Sequence, residues 1–152
     1  MGKTQEHFRL AGATLPAYEA ARKQADELSE RLATAPSTRE LIEILRVVGL
    51  GDVHVATATR VSEAAVRTWR EGRKQPRQAP WERLDALRLL ALDLLKYGSL
   101  DQPEGTGRWI RMQRLGRDRR EIVTGLEQIA QGRLLDAILD AEMMLTRATV
   151  LR

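Results

Sequence analysis

No cysteine occurs among the 152 residues, which excludes disulfide frameworks, thiol catalysis and zinc sites built on thiolates, and fits a reducing compartment. Aromatic residues are scarce at 4%, and no stretch approaches 18 uninterrupted apolar residues, so a membrane-spanning helix is not expected. The opening Met-Gly-Lys-Thr-Gln-Glu-His is followed by no apolar segment of the signal-peptide type, and Glu6 stands where myristoylation requires Ser or Thr. Cytoplasm is the expected location. His7 and His54 each lack a second ligand three or four residues away, and neither a Gly-x-Ser-x-Gly elbow nor a His-Glu-x-x-His pair is present. Gly2-Lys3-Thr4 lacks the upstream glycine of a phosphate loop. No metal site, cofactor or catalytic residue is therefore expected, and the chain reads as a binding protein rather than an enzyme.

What is present is arginine, which outnumbers lysine 21 to 4. The net charge of +4 is modest, but its distribution is uneven. Residues 60–77 hold Arg60, Arg67, Arg70, Arg73, Lys74 and Arg77 against Glu63 and Glu71, a local charge of +4. Residues 108–120 hold Arg108, Arg111, Arg114, Arg117, Arg119 and Arg120 against Asp118, a local charge of +5. The rest of the chain sums to −5. Two basic islands on an acidic body imply anionic partners at particular places.

Strand-length alternation is missing, whereas apolar residues recur with helical period from 15 to 145, and the expected fold is all-α. The first helix is expected over 15–34, its stripe of Tyr18, Ala21, Ala25, Leu28 and Leu32 spaced for a narrow seam that packs on the chain itself or on a second copy. Ser37 and Glu40 form a capping box for a helix over 38–48. Asp52 is placed as N-cap of a short helix to Thr59, Ser62 as cap of the next, and a long helix spans 81–97. Residues 99–107 have linker composition and mark a domain boundary. Helices are then expected over 108–115, 118–130 and 134–145. The organisation is thus an N-terminal extension with one helix (1–36), a helix-turn-helix domain (37–98) and a small C-terminal helical domain (99–152).

The helix-turn-helix rests on spacing over residues 52–72. Ala56 is small where two helices would cross, Val61 fills the space under the turn, and Val66 and Trp69 lock the second helix onto the first. Ser62, Glu63, Ala64, Arg67 and Thr68 then face outward, able to reach base edges in a major groove. Arg67 suits bidentate contact with guanine, while Arg70, Arg73, Lys74 and Arg77 suit phosphates. The turn calls for a left-handed residue where Arg60 stands, at a conformational cost. A dimer on double-stranded operator DNA is expected, since one such helix buries little surface.

The run Val-Ser-Glu-Ala-Ala-Val-Arg-Thr-Trp-Arg-Glu-Gly-Arg-Lys-Gln-Pro resembles the DNA-binding half of Xre-type regulators. Its continuation, with Arg108-Trp109-Ile110 and Ile129-Ala130-Gln131-Gly132-Arg133-Leu134-Leu135-Asp136-Ala137-Ile138, resembles the C-terminal half of Xre/MbcA/ParS antitoxins. The resemblance covers roughly 40–145; the family's usual proline after the Trp-containing helix is replaced here by Arg119-Arg120-Glu121. It implies a type II antitoxin that represses its own promoter and occludes a cognate toxin, in this family a RES-type enzyme that degrades NAD. By the same likeness Arg133, Leu134 and Arg147 become toxin-binding candidates, joined by Trp109, which matches the family's Trp, and by Arg111 of the second island. Trp109 suits a core role better than direct contact. The alternative is a phage or chromosomal repressor whose C-terminal half only dimerises. A neighbouring toxin gene would separate the two.

Overall fold

The computed structural model describes residues 15–34, 36–97, 103–116 and 120–150, with side chains described through Leu145. Over these residues the fold is all-α apart from one two-stranded hairpin. In chain order the elements are α1 (Leu15–Ala33), α2 (Thr38–Val47), α3 (Asp52–Thr59), α4 (Glu63–Arg70), α5 (Gln78–Tyr97), α6 (Glu104–Arg111), β1 (Arg114–Leu115), β2 (Ile122–Val123), α7 (Gly125–Ala130) and α8 (Leu134–Val150).

α5 is the central post, in contact with α1, α2, α3, α6, α7 and α8. Its buried Leu84, Leu87, Leu90, Ala91, Leu94 and Leu95 form one broad stripe down the helix, wider than the narrow seam of a two-helix contact. The α1 seam is satisfied within the chain: Ala25, Leu28 and Leu32 are buried, and α1 lies against α5. Two guanidinium groups tie this antiparallel pair, Arg22 donating to the carbonyl of Leu95 at 2.6 Å and Arg88 to that of Leu32 at 2.7 Å. Each occupies a carbonyl near a helix end that has no partner within its own helix. Ser37 caps α2 by accepting from the Glu40 amide, as its spacing predicts.

Four expectations change. Gly51, not Asp52, is the N-cap of α3, and Asp52 is its first residue. Residues 104–107 are not linker but the first turn of α6, with Thr106 and Gly107 buried. The helix expected over 108–115 ends at Arg111, and Arg114 and Leu115 form β1 instead. The helix expected over 118–130 begins only at Gly125, capped by Thr124, because Ile122 and Val123 pair with β1. Short apolar runs between charged residues carry no period that separates strand from helix. Residues 99–102 of the expected boundary 99–107, like 98 and 117–119, lie outside the described residues.

The segment after the proposed boundary joins the rest through backbone. The Gly107 amide donates to the Val48 carbonyl at 2.8 Å. A Cβ on Gly107 would stand 2.3 Å from that oxygen and 2.6 Å from the Gly49 carbonyl carbon, closer than any side chain permits. Apolar residues from Ala25 to Ala141 form one continuous core, including Trp109, Ile110, Leu126 and Ile129.

Candidate functional site

α3 and α4 are joined by a three-residue turn whose geometry follows from Arg60. Its backbone is left-handed, φ 60° and ψ 43°, the only non-glycine residue with positive φ among the described residues. The sequence expectation of a strained arginine at this position thus has its backbone counterpart. Below the turn Val61 packs on the core, Ala56 is buried at the crossing, and Val66 and Trp69 are buried on α4. Ser62 caps α4, its hydroxyl accepting from the Ala65 amide at 3.1 Å. Glu63, Ala64 and Arg67 are exposed and Thr68 is half-buried, its hydroxyl donating to the Ala65 carbonyl at 2.7 Å.

The base-reading and phosphate candidates divide. Arg67, Lys74 and Arg77 are exposed and carry no ion-pair partner among the described residues. Arg73 is exposed but paired with its neighbour Glu71 at 2.7 Å. Arg70 is turned back onto Asp52 at 3.1 Å, and Asp52 also holds Arg46 at 3.2 Å. Arg70 therefore braces the end of α4 against the start of α3, a structural engagement that its sequence position does not reveal.

The second island is arranged differently. Arg108 and Arg111 are exposed on α6, whereas Trp109 between them is 7% exposed. Arg114 lies over the Trp109 ring, 4.2 Å from its centroid, and reaches Asp140 of α8 at 3.0 Å and the amide oxygen of Gln128. Gln128 also donates to Asp140 at 3.0 Å. Burial lowers the Arg114 pKa, and the Asp140 charge and hydrogen bond oppose that shift. Arg114 Nε and Nη1 and Asp140 Oδ1 are buried without a partner, so this pair organises α8 against the hairpin at a desolvation cost.

Among the toxin-binding candidates, Arg133 bridges Asp136 at 2.9 Å and Glu121 at 2.8 Å, which raise its pKa. Leu134 packs against the core and Arg111 faces outward. The side chain of Arg147 lies outside the described residues. His54 sits where α3 meets the C-terminal half: its Nδ1 accepts from the Gly51 amide at 3.0 Å, and burial, then the Arg111 charge, lower its pKa. With its pKa lowered in the folded chain, His54 contributes stability that is present above its ordinary value and lost as pH falls through and below it.

The chain is similar to a probable mycobacterial cidal antitoxin of Mycobacterium tuberculosis, with 38% identity over 79 residues. Those residues are 52% of this chain, which spans 64% of that relative's length. No family model matches, and no solved structure matches. No helix among the described residues is long and apolar enough to cross a membrane, and no group of three His, Cys, Asp or Glu there could hold a metal ion.

Two features escape sequence reasoning. The hairpin presents Leu115 and Ile122 outward at 61% and 67% exposure, and Leu135 at the head of α8 is 67% exposed. The first had a signal, Leu115 and the Ile122-Val123 pair on either side of Gly116 and the charged run to Glu121, which suit a turn. Asp52 as the partner of Arg70 had none, since the two are 18 residues apart.

Proposed function

We propose that the chain is the antitoxin of a type II toxin–antitoxin module, acting by binding and not by catalysis, and that it represses its own operon through α3 and α4. The observation that carries the antitoxin reading is the likeness to the mycobacterial cidal antitoxin. The partner is a toxin protein, by the Xre/MbcA/ParS resemblance a RES-type enzyme that consumes NAD. The DNA reading is supported by the left-handed turn at Arg60, the Ser62 cap and the outward Arg67.

In this mechanism α4 enters the major groove of the operator, and Arg67 meets a guanine edge with two hydrogen bonds. Lys74 and Arg77 neutralise phosphates, releasing counterions. Arg70, held by Asp52, keeps α4 at a fixed angle to α3. Two copies on half-sites about 34–36 Å apart supply the interface that one helix lacks.

The test pairs operator DNA from upstream of the gene with the protein encoded beside it. Arg67→Ala is expected to cost about 1–3 kcal/mol at the operator and to relax base preference, while Lys74→Ala weakens all sequences alike and lowers the salt slope by about one. Gel-shift titration reads both, and unchanged affinity and specificity for Arg67→Ala would overturn the base-reading role. Growth rescue and copurification on co-expression with the neighbouring gene read the antitoxin arm.

A further inference from the structure

Cross-strand partners in a hairpin share a face, and the register here pairs Arg114 with Val123 and Leu115 with Ile122. Val123 is buried and Arg114 turns onto Trp109, so that pair faces the core. Leu115 and Ile122 necessarily face the other way, and nothing in the chain's own described residues covers them. Met112, exposed, precedes the hairpin by two residues. Leu135 follows Arg133, whose ion pair with Glu121 fastens the head of α8 to the residue before β2. Arg108 and Arg111 are exposed on α6, which ends just before Met112, and neither has an ion-pair partner among the described residues.

We propose that this hairpin face is the surface on which an acidic protein partner docks, and that the partner is the toxin of the reading above, on which this inference rests. An apolar centre with arginines beside it has the make-up of a protein interface, where desolvated aliphatic side chains and guanidinium groups carry most of the binding energy. The occupant is acidic because Arg108 and Arg111, both exposed and without an ion-pair partner among the described residues, bring the charge. DNA fits less well, since three leucine and isoleucine side chains at 61–67% exposure offer nothing to phosphates, unlike the polar face of α4. A second copy fits less well too, because a two-fold contact would set two copies of the same arginine-bearing face together with no acidic complement on either.

The test uses the full chain and the purified product of the neighbouring gene. Leu115→Ser/Ile122→Ser is expected to weaken binding by about 100-fold. Arg108→Glu/Arg111→Glu should weaken it by about 10-fold and flatten its salt dependence. Both variants should keep the helical circular-dichroism signal, the melting temperature and the operator affinity of the parent. Leu89→Ser, an exposed apolar residue on α5, is the control expected to change nothing. Wild-type affinity in Leu115→Ser/Ile122→Ser overturns the proposal while leaving the antitoxin reading intact. So does conversion of a dimer to a monomer, or loss of operator binding, with toxin affinity unmoved. Absence of any binding by the wild-type chain overturns the antitoxin reading itself.

Discussion

Between residues 60 and 77 the exposed cations Arg67, Lys74 and Arg77 have no acidic partner among the described residues, while between 108 and 120 Arg114 turns inward and joins an aromatic ring to the carboxylate of a distant helix. The two stretches are nearly equal in charge and in arginine spacing. What separates them is the backbone beneath. α4 is an eight-residue amphipathic helix that buries Val66 and Trp69 and sends its arginines outward, except where Asp52 draws Arg70 back. After α6 the chain becomes a strand, and alternation sends Arg114 to the inside and Leu115 to the outside. Charge density along a sequence therefore says where anions are met only once the element carrying it is known.

The strongest way to break this contrast is to unseat the second region from the first. Gly107→Ala places a methyl group into the Val48 carbonyl and the Gly49 backbone, and is expected to cost on the order of 4 kcal/mol, measured by urea unfolding. Substituting Arg114 by Met leaves Asp140 buried without its cation and should cost about 3 kcal/mol. Pairing it with Asp140→Leu should recover much of that loss, while Arg67→Ala should leave stability within about 0.5 kcal/mol. Equal effects of Arg114→Met and Arg67→Ala would erase the distinction between the islands. The smallest effect sharpens the first region alone: Arg60→Gly relieves a left-handed arginine, and after the extra freedom of glycine in the unfolded chain it should stabilise by about 0.5–1 kcal/mol.

The N-terminal half was legible in the sequence because its signals are local. Ser37 and Ser62 cap the helices they precede, and Ala56, Val61, Val66 and Trp69 take the packing positions their spacing assigns. Trp109 is buried, as its size argued. Less was legible after residue 98, where long-range contacts decide. Glycine and threonine at 105–107 read as linker because composition cannot express that Gly107 lies against the backbone of Val48, 59 residues earlier in the chain. Arg114 to Leu115 and Ile122 to Val123 are each too short to show a period, and their pairing is visible only in space. For the candidate interfaces, spacing identified the outward face of α4 but not the fastening of Arg70 by Asp52, and no signal marked Leu135 as the exposed residue at the head of α8.

The two guanidinium ties between α1 and α5 also have a meaning in time. The residues they join are 56 and 73 positions apart, so α1 leaves the ribosome well before the helix it will lie against. At synthesis rates of 5–20 residues per second the delay is roughly 3–15 s, far longer than helix formation itself requires. Throughout that interval the nascent α1 holds Leu28 and Leu32 open to water and to any passing protease or chaperone. Completion of α5 ends this exposure, because Arg88 and Arg22 then find the Leu32 and Leu95 carbonyls. The length of this interval is thus set by how quickly translation passes through residues 88–95.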